Sequence, residues 1–207
     1  GRQLTPLLVE AGHTVAGTTR SEGKAGLVRG LGAEPVVVDV YDAGALRDAI
    51  CDFEPDLVMH QLTDLPDDPA KLAASRESNA RMRNEGTANL VHAARAAGAS
   101  RFIAQSIAWD LDPEYAGRLE EYERRTLGVH DAGVVLRYGQ FYGPGTGFAT
   151  NAPAPVHVDA AADAARRALT RGSGVYNIAE ADGELDIGRA RRDLGWDPGF
   201  RIGPAGR

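Results

Sequence analysis

Apolar residues along this chain fall into two alternating spacings. Leu4, Leu7, Leu8 and Ala11 recur at helical steps, which predicts a helix over 2–11 ended by Gly12. A β-rich run follows at 13–19, then a short helix at 24–31 closed by Gly32. The run PVVVDV at 35–40 is β-branched and too short for a helix, so it reads as a buried parallel strand. The cycle repeats with a helix at 43–53, a strand at 56–62 and a long helical stretch at 71–97 closed by Gly98. Further strands are predicted at 101–108, 134–138 and 174–178, with helices at 157–170 and 187–194.

Strands alternating with helices imply βαβ units, and right-handed crossovers make of them an α/β fold. The expected architecture is a doubly wound, Rossmann-type parallel sheet covered by helices on both faces. Such a sheet has a central first strand before its first helix, yet the pattern opens on a helix at once. That first strand is expected to lie upstream of residue 1. The stretches 113–119 and 183–187 look compressed, so the numbering is expected to run across gaps.

Composition narrows the function classes. At 207 residues, 43% hydrophobic and 25% charged, the chain has the make-up of one soluble domain. The net charge of −6 comes from interspersed acids and bases, which speaks against a nucleic-acid-binding face. No apolar run approaches the length of a membrane span, and no leader is evident. Cys51 is the only cysteine, so neither a disulfide framework nor a cysteine-rich metal site is expected, and the compartment expected is the cytoplasm.

Candidate chemistry gathers at strand ends. Gly1 stands where the third glycine of a dinucleotide-binding fingerprint would open the first helix. About 20 residues on, where a carboxylate would take the ribose 2′-OH, the chain has Thr18, Thr19, Arg20 and Ser21. A forked guanidinium with hydroxyls beside it suits a 2′-phosphate, which favours NADP, with NAD as the other option. Asp39 and Val40 end the third strand near the adenine position, and Gln61, Leu62 and Thr63 follow the next strand at the ligand-binding edge. His60 reads as structural.

Several motifs in fixed order carry a resemblance. They are Gly1-Arg-Gln-Leu4, Gly12-His-Thr-Val15, Thr19-Arg20, Asp39-Val40, Asn84-Glu-Gly-Thr87 and Arg101-Phe-Ile-Ala-Gln-Ser106. The most specific are the segment VLRYGQFYGPG at 135–145, His157-Val-Asp159 and Ala190-Arg-Arg-Asp-Leu-Gly-Trp196. Together they resemble the NAD-dependent epimerase/dehydratase family of extended short-chain dehydrogenase/reductases, over nearly the whole chain. The resemblance implies an NAD(P)-binding domain at 1–138, and a region at 139–207 that completes the sheet and forms a small substrate-side lobe. It also implies a small-molecule substrate and assembly as a homodimer.

Family chemistry uses a Ser or Thr, a Tyr, and a Lys four residues after the Tyr that lowers the phenol's pKa. This chain departs from that pattern. Ile107 stands where the Ser or Thr is expected, Tyr122 is followed by Thr126, Tyr115 is followed by Leu119, and the two lysines are Lys24 and Lys71. Ser106 and Tyr122 are the catalytic candidates that remain, as hydrogen-bond partners of a substrate carbonyl. Two function classes lead: an NAD(P)-dependent oxidoreductase or epimerase/dehydratase-like enzyme on a small carbonyl or sugar-like compound, and a non-catalytic NADP-binding redox-sensing or regulatory protein. A structural subunit that keeps the fold without a ligand is the third. No metal is implied.

Overall fold

The computed structural model describes residues 1–66, 69–71, 73–108, 113–129, 132–147, 154–180 and 185–203. Its centre is a parallel sheet in the order β3 (Leu57–His60), β4 (Arg101–Ile107), β5 (Val134–Tyr138) and β8 (Gly174–Ile178). A second parallel pair joins β1 (Ala16–Thr19) to β2 (Glu34–Val37), and a third joins β6 (Gln140–Tyr142) to β7 (Pro155–His157). β1 and β3, which a doubly wound order puts on either side of the first strand, are not hydrogen-bonded to each other.

Both faces of the central sheet are covered, as buried parallel strands require. On one face α1 (Leu4–Glu10) packs against α7 (Val158–Arg167), and Leu4, Leu8, Ile103, Leu136, Tyr176 and Trp196 share one core. On the other lie α3 (Ala43–Phe53), α5 (Thr87–Ala96) and α6 (Pro113–Leu127), closing over Leu46, Leu90, Phe102 and Tyr122. α2 (Ala25–Gly30) connects β1 to β2. Local chemistry sets the helix ends: Asp42 caps α3 by accepting from the Ala45 amide (3.0 Å), and Gly12 follows α1 at φ +87°, a left-handed conformation that glycine adopts without steric cost.

The long helical stretch predicted at 71–97 is broken. It begins in tight turns, becomes α4 (Arg76–Arg81), widens into a π turn over Met82–Gly86, and resumes as α5. Gly86 fits there because a Cβ would meet Met82 Sδ at 2.9 Å and crowd Val40. Other expectations change in detail. α6 starts at Pro113, so the compressed-looking stretch 113–119 is its opening, while 183–184 lie outside the described residues. The strands expected at 13–19 and 35–40 shorten to β1 and β2, and the pair β6–β7 escaped the sequence pattern because each strand has three residues.

One buried polar knot holds the π turn to the sheet. His60 ends β3 fully buried, and its Nδ1 accepts from the Leu62 amide (3.2 Å). The ring proton therefore sits on Nε2 and is donated to Thr87 Oγ1 at 2.8 Å. Burial, followed by the positive charge of Arg83, lowers the His60 pKa from 6.5 to about 4, so the ring is neutral at pH 7.

Two outcomes follow from this packing. Phe102 is completely buried between α5, α6 and the sheet, so Phe102→Ala should lower unfolding free energy by about 3–5 kcal/mol, read from urea denaturation. His60 binds its proton less readily folded than unfolded, so its contribution is present above about pH 6.5 and is lost as pH falls toward 4. The loss is on the order of 3 kcal/mol. A His60→Gln variant should show a flatter decline in unfolding midpoint between pH 7 and pH 4 than the parent; equal declines would rule out His60 as a contributor.

Candidate functional site

Parallel strands end together, and their carboxyl ends leave a crevice where chain connections diverge. Here β3 ends at His60 and runs into Gln61, Leu62 and Thr63, β4 ends at Gln105–Ile107, and β5 ends at Tyr138. These ends floor a cleft of about 800 Å³, within the roughly 300–1,000 Å³ typical of ligand pockets. Gly1–Leu4 form one wall, the loop 144–147 and the alanine face of α7 another, and α4 with the π turn a third. A smaller pocket of about 80 Å³ adjoins it, bounded by Thr18, Thr19, Arg20, Val40, Leu62 and Asp64; Thr63 lines both.

The expected binding residues divide between these spaces. Gly1, Gln61, Thr63 and Ser106 line the large cleft. Thr19, Arg20, Val40, Leu62 and Thr63 line the small one. Ser21 lies beside it and donates its amide to Thr19 Oγ1 (3.2 Å). Asp39 instead turns back on the chain, with Oδ1 accepting from the Tyr41 amide at 3.0 Å. Its short side chain closes a turn rather than walling a pocket.

Arg20 has a partner that the motif did not reveal. Its Nη2 donates to Asp64 Oδ1 at 2.7 Å, and Tyr41 OH donates to the other carboxylate oxygen at 3.4 Å. The guanidinium is half exposed, so the pair is a weak tether that a stronger anion can replace. Gln61 lines the cleft beside Tyr138, with its side-chain amide directed to the Tyr138 hydroxyl. An amide at a cleft wall can also meet a ligand acceptor, and the carboxamide or ribose of a dinucleotide offers several.

Ser106 and Tyr122 do not meet in the cleft. Ser106 Oγ donates to Glu123 Oε1 at 2.6 Å, and that buried carboxylate is also gripped by Arg137 through Nε (2.8 Å) and Nη2 (2.5 Å). Tyr122 lies in the core behind the sheet, donating its hydroxyl to the Gln105 carbonyl at 2.6 Å. Burial pushes its phenol pKa further up, the reverse of what acid–base work at neutral pH needs. Neither side chain is oriented as the carbonyl donor expected of it, because each satisfies an internal partner. The fourth residue after either tyrosine of α6 is uncharged and buried, Leu119 in one case and Thr126 in the other.

Arg76, Asn79 and Arg83 also face the cleft, and strand-end reasoning passed over them. Their spacing of three and four residues within a helical stretch was the available signal, since it places them on one face. Asn79 is buried and accepts from Thr63 Oγ1 (3.1 Å) and the Asp64 amide (3.4 Å), which ties this face to the end of β3.

Known proteins agree with this geometry. A family model described as NAD(P)H-binding matches residues 1–131. A curated relative, the 3-diazoavenalumate denitrifying reductase of a Streptomyces species, is 40% identical over 170 residues, or 67% of this chain. The chain spans about half the length of that relative, 55%. Among solved structures, UDP-glucose 4-epimerase of Thermotoga maritima with UDP-glucose superposes with a TM-score of 0.74 at 17% identity, over 97% of this chain and 91% of that one. The Thermus thermophilus UDP-glucose 4-epimerase complex with NAD gives a TM-score of 0.69 at 18% identity, over 96% and 81%. At such identities the epimerases establish the fold, which is the one the sequence motifs implied. The doubly covered parallel sheet, the cleft at its carboxyl edge and the matched model place this chain in the NAD(P)H-binding family.

Proposed function

We propose that the protein is an NAD(P)H-dependent oxidoreductase that reduces a small organic molecule, with NADPH the preferred cofactor. The observation that carries this reading is the continuity of the two spaces along the strand ends. The large cleft receives the diphosphate and nicotinamide ends near Gly1 and Gln61, and the small pocket receives the adenosine end near Thr19, Val40 and Leu62. When bound, the nicotinamide supplies hydride chemistry, and the chain's residues bind, orient and exclude water.

Arg20 sets the preference between cofactors. A doubly charged 2′-phosphate draws the guanidinium from Asp64, whereas a ribose hydroxyl leaves that pair in place. Ser106 and Tyr122 act at one remove: through Glu123 and the Gln105 carbonyl they fix the ends of β4 and β5 that floor the cleft. The epimerase/dehydratase reading finds less support, since Ile107, Leu119 and Thr126 hold the positions of its Ser or Thr and its Lys.

A second reading has one observation in its favour. Among the described residues no tyrosine with an activating lysine faces the cleft, as suits a dinucleotide-binding sensor without catalysis. Steady NADPH oxidation on adding a carbonyl or diazo compound would favour the enzyme, and tight NADPH binding without turnover would favour the sensor.

Titration with NADPH and NADH, followed by reduced-nicotinamide fluorescence, tests the cofactor site. Arg20→Ala should weaken NADPH on the order of tenfold or more, about 1.4 kcal/mol, and leave NADH nearly unchanged. Asp64→Asn should move preference the other way, toward NADPH, by removing the carboxylate that competes for Arg20. Equal effects of Arg20→Ala on both cofactors would remove the 2′-phosphate assignment.

A further inference from the structure

Among the described residues that line the large cleft, Thr63, Ser106, Tyr138 and Thr146 carry hydroxyl groups. Three of these donate to the protein itself. Thr63 Oγ1 donates to Asn79 Oδ1 (3.1 Å), Ser106 Oγ to Glu123 Oε1 (2.6 Å) and Thr146 Oγ1 to the Gly143 carbonyl (2.9 Å). Tyr138 differs. Burial pushes its phenol pKa up, and the facing Gln61 amide offsets part of that rise. A neighbour that favours the phenolate presents an N–H to it, so the oxygen accepts from Gln61. The proton of the Tyr138 hydroxyl has no acceptor among the described residues.

This donor is held in place. Tyr138 is 4% exposed, and its ring packs on Phe141 with centroids 5.2 Å apart. Its backbone is paired in register between Ile107 of β4 and Ile178 of β8. Ile107 also lines the cleft and brings no hydroxyl of its own. A hydrogen-bond donor fixed before the ligand arrives needs no reorganisation when charge develops on that ligand. Through Gln61, Tyr138 stands at the end of the cleft assigned above to the nicotinamide.

We propose that Tyr138 is the substrate-polarising residue of the cleft, its hydroxyl donating to the oxygen of the carbonyl that is reduced. The proposal rests on the reductase reading, which supplies the hydride and the carbonyl. As the hydride adds to the carbonyl carbon, the π pair of the C=O bond moves onto the oxygen. Tyr138 hydrogen-bonds that charge without giving up its proton, and a water molecule then protonates the oxygen to the alcohol and is left as hydroxide. Burial unsuits a phenol to relaying protons, but it suits this role, because the donor stays protonated at neutral pH.

Difference infrared spectroscopy of the NADP⁺-saturated protein tests this without turnover, with acetophenone and cyclohexanone labelled at the carbonyl carbon as probes. At least one bound ketone should show its C=O band below its position in an apolar solvent, the mark of a hydrogen bond received. Tyr138→Phe should return the band to the apolar position, with circular dichroism and NADPH affinity as in the parent. Replacing Tyr138 with fluorotyrosine, a stronger donor of nearly the same size, should move the band further down. Tyr142→Phe removes a hydroxyl that binds Glu180 outside the cleft, and it should leave the band where it is. The proposal is overturned if neither ketone shows a lowered band in the parent, or if the band stays lowered in Tyr138→Phe. A band unmoved by fluorotyrosine counts against it equally, whatever the fate of Tyr138→Phe. Weakened NADPH binding in Tyr138→Phe also overturns it, because the hydroxyl would then serve the cofactor. Failure of the parent protein to bind NADPH is a separate result, and it would remove the reductase reading itself.

Discussion

A carboxylate taken out of water needs hydrogen-bond and charge partners around it, and Glu123 is such a carboxylate. It lies on α6 and accepts from Ser106 at the end of β4 and from Arg137 on β5, so one buried charge joins three elements beneath the cleft. This cluster ties the ends of β4 and β5 that floor the cleft to α6. The same cluster engages the Ser106 hydroxyl, which donates to Glu123 although the residue lines the cleft. Tyr122, the sequence neighbour of Glu123, lies behind the sheet and ties α6 to the Gln105 carbonyl.

Much of the fold was legible from spacing alone. Buried β-branched runs such as 134–138 and alanine-rich helical faces such as that of α7 have one way to hide their apolar area, and the parallel sheet follows. What spacing could not show was where a helix departs from regularity. Residues 71–97 carry helical periodicity throughout, but a π turn over Met82–Gly86, where Gly86 packs closely on Met82 and Val40, is not encoded by periodicity. Short elements such as β6 and β7 escaped notice because three residues hold too little pattern.

The candidate site was legible in outline. Strand-end residues Thr19, Arg20, Gln61, Leu62 and Thr63 border the two adjoining spaces. Partner choice was not legible. Nothing near Arg20 in sequence announces Asp64, forty-four residues away, and nothing near Ser106 announces Glu123. Asp39 looked like an adenine contact because it ends a strand, but its carboxylate closes a local turn. The arginines of α4 and the π turn gain meaning once the helix is docked, because the docking decides which face meets the cleft.

The central claim is that one dinucleotide lies along the carboxyl edge of this sheet, spanning both spaces. A crystal structure of the protein with NADPH tests it most directly. The account predicts the 2′-phosphate at Arg20, the adenine against Val40 and Leu62, and the nicotinamide end near Gln61 Nε2. Density for the cofactor elsewhere on the protein, or a reversed orientation with the adenine at Gln61, would contradict it.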